Sequence, residues 1–162
     1  MDRVKDSSVI RLIERISEHY QANISNRYLR PALLQLQIDK STWDQIELLT
    51  EKMEFFRYQG FHLDDLYRQI AACARFVDVA RTNLPGILRS KMNSAPSGPD
   101  KIIREMAASN FGSNLKVFTD QLNELYVNLV ELDKIEAQKR KGKPVFEQVG
   151  ELTSIGRLIV GH

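Results

Sequence analysis

Cysteine is nearly absent: Cys73 is the only one in 162 residues. A lone thiol excludes an intramolecular disulfide framework. Its neighbours Ala71, Ala72 and Ala74, with no basic residue or histidine beside it, mark it as a small core residue rather than a reactive nucleophile. Long apolar runs are also missing, and none approaches the roughly 18 residues that a membrane span needs. Neither sign of charge is in excess: 23 Lys and Arg stand against 21 Asp and Glu, a net charge of +2. So even a balance builds no general field for nucleic acid or anionic lipid, and leaves such partners to local patches. The first residues, Met1-Asp2-Arg3-Val4-Lys5-Asp6, alternate charge with no apolar segment behind them, unlike a secretory signal. The expected setting is the cytoplasm, without membrane insertion.

Recognisable chemistry is lacking too. There is no Gly-x-Ser-x-Gly elbow, no glycine-rich loop ending in Lys-Ser or Lys-Thr, and no dinucleotide fingerprint. The segment from Gly150 to Gly156 has glycines but no lysine to reach a phosphate. A di-metal site in a helical bundle wants inward Glu residues and Glu-x-x-His on two helices. His19, His62 and His162 follow Ile16, Gln59 and Ile159 at that spacing, so the signature is missing. Glu14 and Glu18, and likewise Asp120, Glu124 and Glu131, fall opposite the apolar stripes of their segments and read as solvated faces. His19 stands near a helix end, where it complements the dipole. No catalytic residue, metal ligand or cofactor is expected.

What is present is helical periodicity. Hydrophobic residues make up 43% of the chain, enough for a core without staples. Four windows contain neither Gly nor Pro: 7–22, 42–59, 63–84 and 114–141. Each carries apolar residues at i, i+3, i+4 and i+7. In the first they are Val9, Leu12, Ile13, Ile16 and Tyr20; in the second, Trp43, Ile46, Leu49, Met53 and Phe56, with Gly60 as the stop. The third holds Leu66, Tyr67, Ile70, Cys73, Ala74, Val77 and Ala80, with Asp64 and Asp65 in its first turn. In the fourth, Leu115, Phe118, Leu122, Leu125, Leu129 and Leu132 form a heptad seam too short for a free coiled coil. Short helices are predicted near 31–38 and 100–111, the latter with Ile102, Ile103 and Met106 inward. The tail from Pro144 carries Phe146, Val149, Leu152, Ile155 and Ile159 at helical spacing. The fold class is therefore all-α: one helical domain over 1–162, with a mobile loop near 93–99. Long connections on either side of a tight 60–62 hairpin point to an up-up-down-down bundle.

Two features bear on partners. Leu48, Phe55, Phe76 and Val79 miss the main stripes of their helices, so they are either covered by the short segments or form a protein interface, a homodimer being the commonest kind. Lys139, Arg140, Lys141 and Lys143 form a basic cluster that reads first as dipole complementarity at a helix end and second as an anion or nucleic-acid patch. The leading functional reading is a non-enzymatic helical protein for protein–protein interaction, an adaptor or regulatory or assembly component. A nucleic-acid-associated protein using 139–143 is the alternative, and an enzyme with a site invisible in sequence is third.

Overall fold

Asp6 starts the helical chain: its carboxylate accepts the Val9 N–H at 3.0 Å, satisfying a donor that the first turn leaves orphaned. Helix α1 then runs Ser7–Ile24 and buries Val9, Leu12, Ile13, Ile16 and Tyr20, the stripe their spacing predicts. The computed structural model describes residues 3–93 and 98–148. The other helices are α2 (Arg30–Leu33), α3 (Lys40–Glu51), α4 (Met53–Gln59), α5 (Leu63–Asn93), α6 (Pro99–Lys139) and α7 (Val145–Gln148). No strand is present among the described residues, where the one extended pairing joins Val4 to Phe61. The all-α expectation holds. The predicted mobile loop falls largely on residues 94–97, and most of the tail on 149–162; both lie outside the described residues.

Helix boundaries differ from the predicted windows in three places. The second window is two helices, α3 and α4, separated at Lys52. The third does not stop at residue 84, because α5 continues through Pro85 and Gly86 to Asn93. Pro85 removes one rung of the backbone ladder, yet Leu84 and Leu88 on either side are buried. Their packing overrides the local propensity. The fourth does not begin at 114, because the predicted 100–111 helix is continuous with it through Gly112 as α6. The 31–38 segment shrinks to α2, with Pro31 in its first turn.

Contacts fix the directions. Tyr20 of α1 donates to Glu47 of α3 at 2.9 Å, and Arg57 of α4 pairs with Glu14 of α1 at 2.7 Å, so α1 and α3–α4 are antiparallel. Arg75 of α5 donates to Thr42 of α3, and Phe56 packs on Phe61, making α3–α4 and α5 antiparallel. The Tyr67 hydroxyl of α5 reaches Asp133 of α6, while Phe76 meets Phe118, which reverses the direction once more. The bundle is up-down-up-down, with α6 returning to pack against α1. The up-up-down-down expectation is corrected: the long 25–39 connection folds α2 across the bundle end instead of crossing its length, and the other long connection is mostly helix. At Gly60 φ is +76°, and a Cβ there would lie 2.3 Å from the Val4 carbonyl oxygen. Only glycine fits where the α4–α5 turn passes under the Val4–Phe61 pair.

The heptad seam faces inward: Phe118, Leu122, Leu125 and Leu129 are buried, with Leu115 and Leu132 packed at its margins. Each of Leu122→Ala, Leu125→Ala and Leu129→Ala is expected to lower stability by about 2–5 kcal/mol, measured by denaturant unfolding. Losses under about half a kcal/mol at all three would place the seam outside the core. Cys73 is also fully buried, and burial pushes its thiol up from 9.0 to about 12, opposed in part by the charge of Arg75. The thiolate is the reactive form, so in folded protein at pH 8 Cys73 should resist iodoacetamide and react only as the chain opens. The unfolded thiol releases its proton near pH 9 and the folded one near 12. This contribution to stability is complete below pH 9 and declines as pH rises between those values. Alkylation as fast as in the denatured chain would contradict the burial.

Candidate functional site

Helices α5 and α6 are longer than the rest of the bundle. The Tyr20–Phe76 and Thr42–Arg75 contacts show that α1 ends and α3 begins near the middle of α5. The last turns of α5 and the first turns of α6 therefore continue as a two-helix hairpin past the four-helix section. Between them lies a groove of about 670 Å³, a volume in the usual range for ligand and peptide clefts. Its apolar wall includes Pro85, Leu88, Ala108, Phe111, Gly112 and Leu115. Arg81, Arg89 and Lys116 bring cations to the rim, against one carboxylate, that of Asp120, among the described residues. Small residues make the groove: a Cβ built on Gly112 meets nothing within 4 Å, so the space beside this helix face is open.

The opposite end of the same α5–α6 pair is closed. Asp133 of α6, 0% exposed, accepts the Val145 N–H at 2.8 Å and the Phe146 N–H at 2.7 Å, and Tyr67 donates to it at 3.1 Å. A buried carboxylate is tolerated only when its oxygens are so occupied. Burial and the neighbouring Asp133 carboxylate together hold the Tyr67 phenol far above its ordinary range. The Phe146 ring then packs against Tyr67 and Tyr126, each at 5.6 Å. Helix α7 is thereby latched onto the α5–α6 pair.

The predicted interface residues separate. Phe76 is not available to a partner: it is 2% exposed, with Tyr20, Trp43 and Phe118 around its ring. Its off-stripe position is explained by α3, which covers that flank of α5. Val79 is half-buried against the same core and Leu48 is half-buried. Phe55 is 41% exposed, with the Arg3 guanidinium 4.5 Å from its ring centre. These four residues form no common surface. Ile102, Ile103 and Met106, expected inward, are 59%, 44% and 59% exposed, because this stretch of α6 lies beyond the end of α1.

The basic cluster is a helix terminus. Gly142 N–H bonds to the Ala137 carbonyl at 3.0 Å and Lys141 N–H to that of Gln138 at 3.2 Å, while Lys141 takes φ +54°. This is the Schellman pattern that ends helices. Lys139 pairs with Glu136 at 3.4 Å, and the Arg140 guanidinium donates to the Lys143 carbonyl. The four cations follow a reversing turn instead of forming a flat face.

No protein-family model matches the chain, and no curated protein or solved structure matches it either. Function has to be argued from the surface itself. Among the described residues no group of three His, Cys, Asp or Glu is placed to hold a metal ion. No described helix is long and apolar enough to cross a membrane. The groove was missed in the sequence because Pro85 and Gly112 read as helix breaks. Asp133 had a visible signal, since it follows Leu122, Tyr126 and Leu129 on the buried face of α6. Asp133→Ala should strand two backbone N–H groups and one phenol, for a loss of about 1–3 kcal/mol. In hydrogen exchange the Val145 and Phe146 amides should lose protection while those of central α5 keep it. Unchanged protection at 145 and 146 would refute the latch.

Proposed function

We propose that this protein is a non-enzymatic interaction module whose α5–α6 groove accepts an amphipathic helix from a protein partner. The groove itself carries the reading: an open apolar trough between two antiparallel helices matches the stripe of a third helix. Helices pack by setting the side chains of one into the grooves of the other, and at Gly112, where a Cβ would meet nothing within 4 Å, a partner's side chain has room to enter. The rim favours a partner whose apolar stripe is flanked by Asp or Glu, because cations outnumber the one acid there and complementary charge selects partners and orientation. The 139–143 cluster is a weaker candidate, since Lys139 pairs with Glu136, Arg140 with the Lys143 carbonyl, and the four cations follow a turn. In this reading the protein acts as an adaptor or assembly component and performs no chemistry on what it binds.

Gly112→Trp fills the groove from a helical position whose backbone any residue can adopt, so the fold should survive, as circular dichroism can verify. Affinity capture from the source cell is expected to recover a protein with the wild type and with Lys141→Glu, and to lose it with Gly112→Trp. Recovery of the same proteins after the groove is filled would reject this surface as the docking site.

A further inference from the structure

The solvent side of α6 changes character along its length. Beyond Asp120 it is an ordinary solvated face, where exposed Val127 and Ile135 share their side of the helix with Glu124 and Glu131. Earlier in the helix the same side holds Ile102, Met106, Ser109, Asn110, Ser113 and Val117, which steps of three and four residues bring into one strip. All six are exposed, as is Ile103 at the edge of the strip, and none is charged. The strip spans sixteen residues, about 24 Å of helix. In a chain with 27% charged residues, an exposed face of that length without an ion has the composition of an interface centre, from which charged side chains are depleted.

The order of the side chains says what the strip fits. Large ones stand at its start, at Ile102, Ile103 and Met106, and small ones at Ser109 and Ser113. A second α6 running antiparallel, about a two-fold axis beside Ser109 and Asn110, sets Met106 against Ser113 of the second copy. The same axis sets Ile102 against Val117 of the second copy, so large side chains enter the gaps left by small ones. A parallel pair would put Met106 on Met106 and leave Ser113 facing Ser113. Charge selects the same arrangement. Glu105 and Lys116 lie along one edge of the strip, about three turns apart, and neither forms an ion pair among the described residues. The antiparallel register brings Glu105 of each copy beside Lys116 of the other, twice by symmetry.

We propose that a second copy of this chain is the partner of this face: two molecules associate through residues 102–117 of α6, packed antiparallel about a two-fold axis. The strip lies on a different side of α6 from the groove, so the inference does not rest on the docking role proposed there. Tyr28 meets this half of α6 at Arg104, off the strip, and leaves it open. A contact one helix wide and about 24 Å long stands at the small end of interface sizes. The dimer is therefore weak and reversible, filled at high protein concentration and separating on dilution.

Sedimentation equilibrium on the full chain, from micromolar to millimolar concentration, tests this. The average mass should rise from that of one chain towards that of two. Met106→Glu changes an exposed side chain, so it should keep the wild-type circular dichroism and stay monomeric. Glu105→Lys should raise the dissociation constant about tenfold, and Glu105→Lys/Lys116→Glu should restore it. Asn110→Cys, beside the axis, should oxidise to a covalent dimer, whereas Asn128→Cys in the charged half of the same side should not; the native Cys73 is buried and takes no part. A single-chain mass at every concentration overturns the inference. So does a dimer that survives Met106→Glu, a charge swap that fails to restore association, or equal cross-linking at 110 and 128.

Discussion

Four helices meet on one side chain. The ring of Phe76 in α5 lies 5.9 Å from Tyr20 of α1, 5.8 Å from Trp43 of α3 and 6.1 Å from Phe118 of α6, in edge-on or tilted arrangements. Such geometries set the positive edge of one ring against the face of the next. No pair of these helices can slide without breaking a contact on that ring. Tyr20 and Arg57 then tie α1 to α3 and α4 through Glu47 and Glu14. The up-down-up-down order is what lets three helices approach α5 at the level of Phe76.

The overhang follows from unequal lengths. Helix α1 has 18 residues and α6 has 41, about 27 Å against about 60 Å at 1.5 Å per residue. A bundle whose short members cluster round Phe76 must leave the long pair projecting. Projection exposes surface that a four-helix core would bury, which accounts for Ile102, Ile103 and Met106 on one side and the groove on another. Leu84, Leu88, Ala107 and Phe111 remain buried there, where α2 packs on α5 and Tyr28 lies under Arg104 of α6, while the groove face stays open.

Much of this was legible in the residues. The stripes of α1 and α5 and the Leu122–Leu125–Leu129 seam were readable because each faces one continuous core, where period and burial coincide. Gly60 was readable because its role is local. Topology was not, since connection length cannot distinguish a crossover from a segment folded across a bundle end. Phe76 was misjudged for a related reason: one helix read alone has one face, whereas α5 packs on α3, α6 and the core together. The groove was hidden by the rule that served elsewhere. Proline and glycine oppose helices, but Leu84, Leu88 and Phe111 contribute enough burial at about 25 cal/mol per Å² to carry α5 and α6 past Pro85 and Gly112.

The basic turn gains its meaning from what comes after it. A helix of 41 residues that ended without a cap would send the chain away from the bundle. Lys141 instead adopts a left-handed conformation that costs a non-glycine residue about 1 kcal/mol or more, and Gly142 closes the bond to Ala137. Cations at this end offset part of that cost by facing the negative pole of α6. The reversed chain then meets Asp133, which has no solvent to satisfy it and so requires the Val145 and Phe146 amides. Turn and carboxylate act in sequence: the first reverses the direction, and the second fixes where the returning chain lands. A charge cluster that reads as a binding patch along the sequence is, in space, the turn that brings α7 back onto α5 and α6.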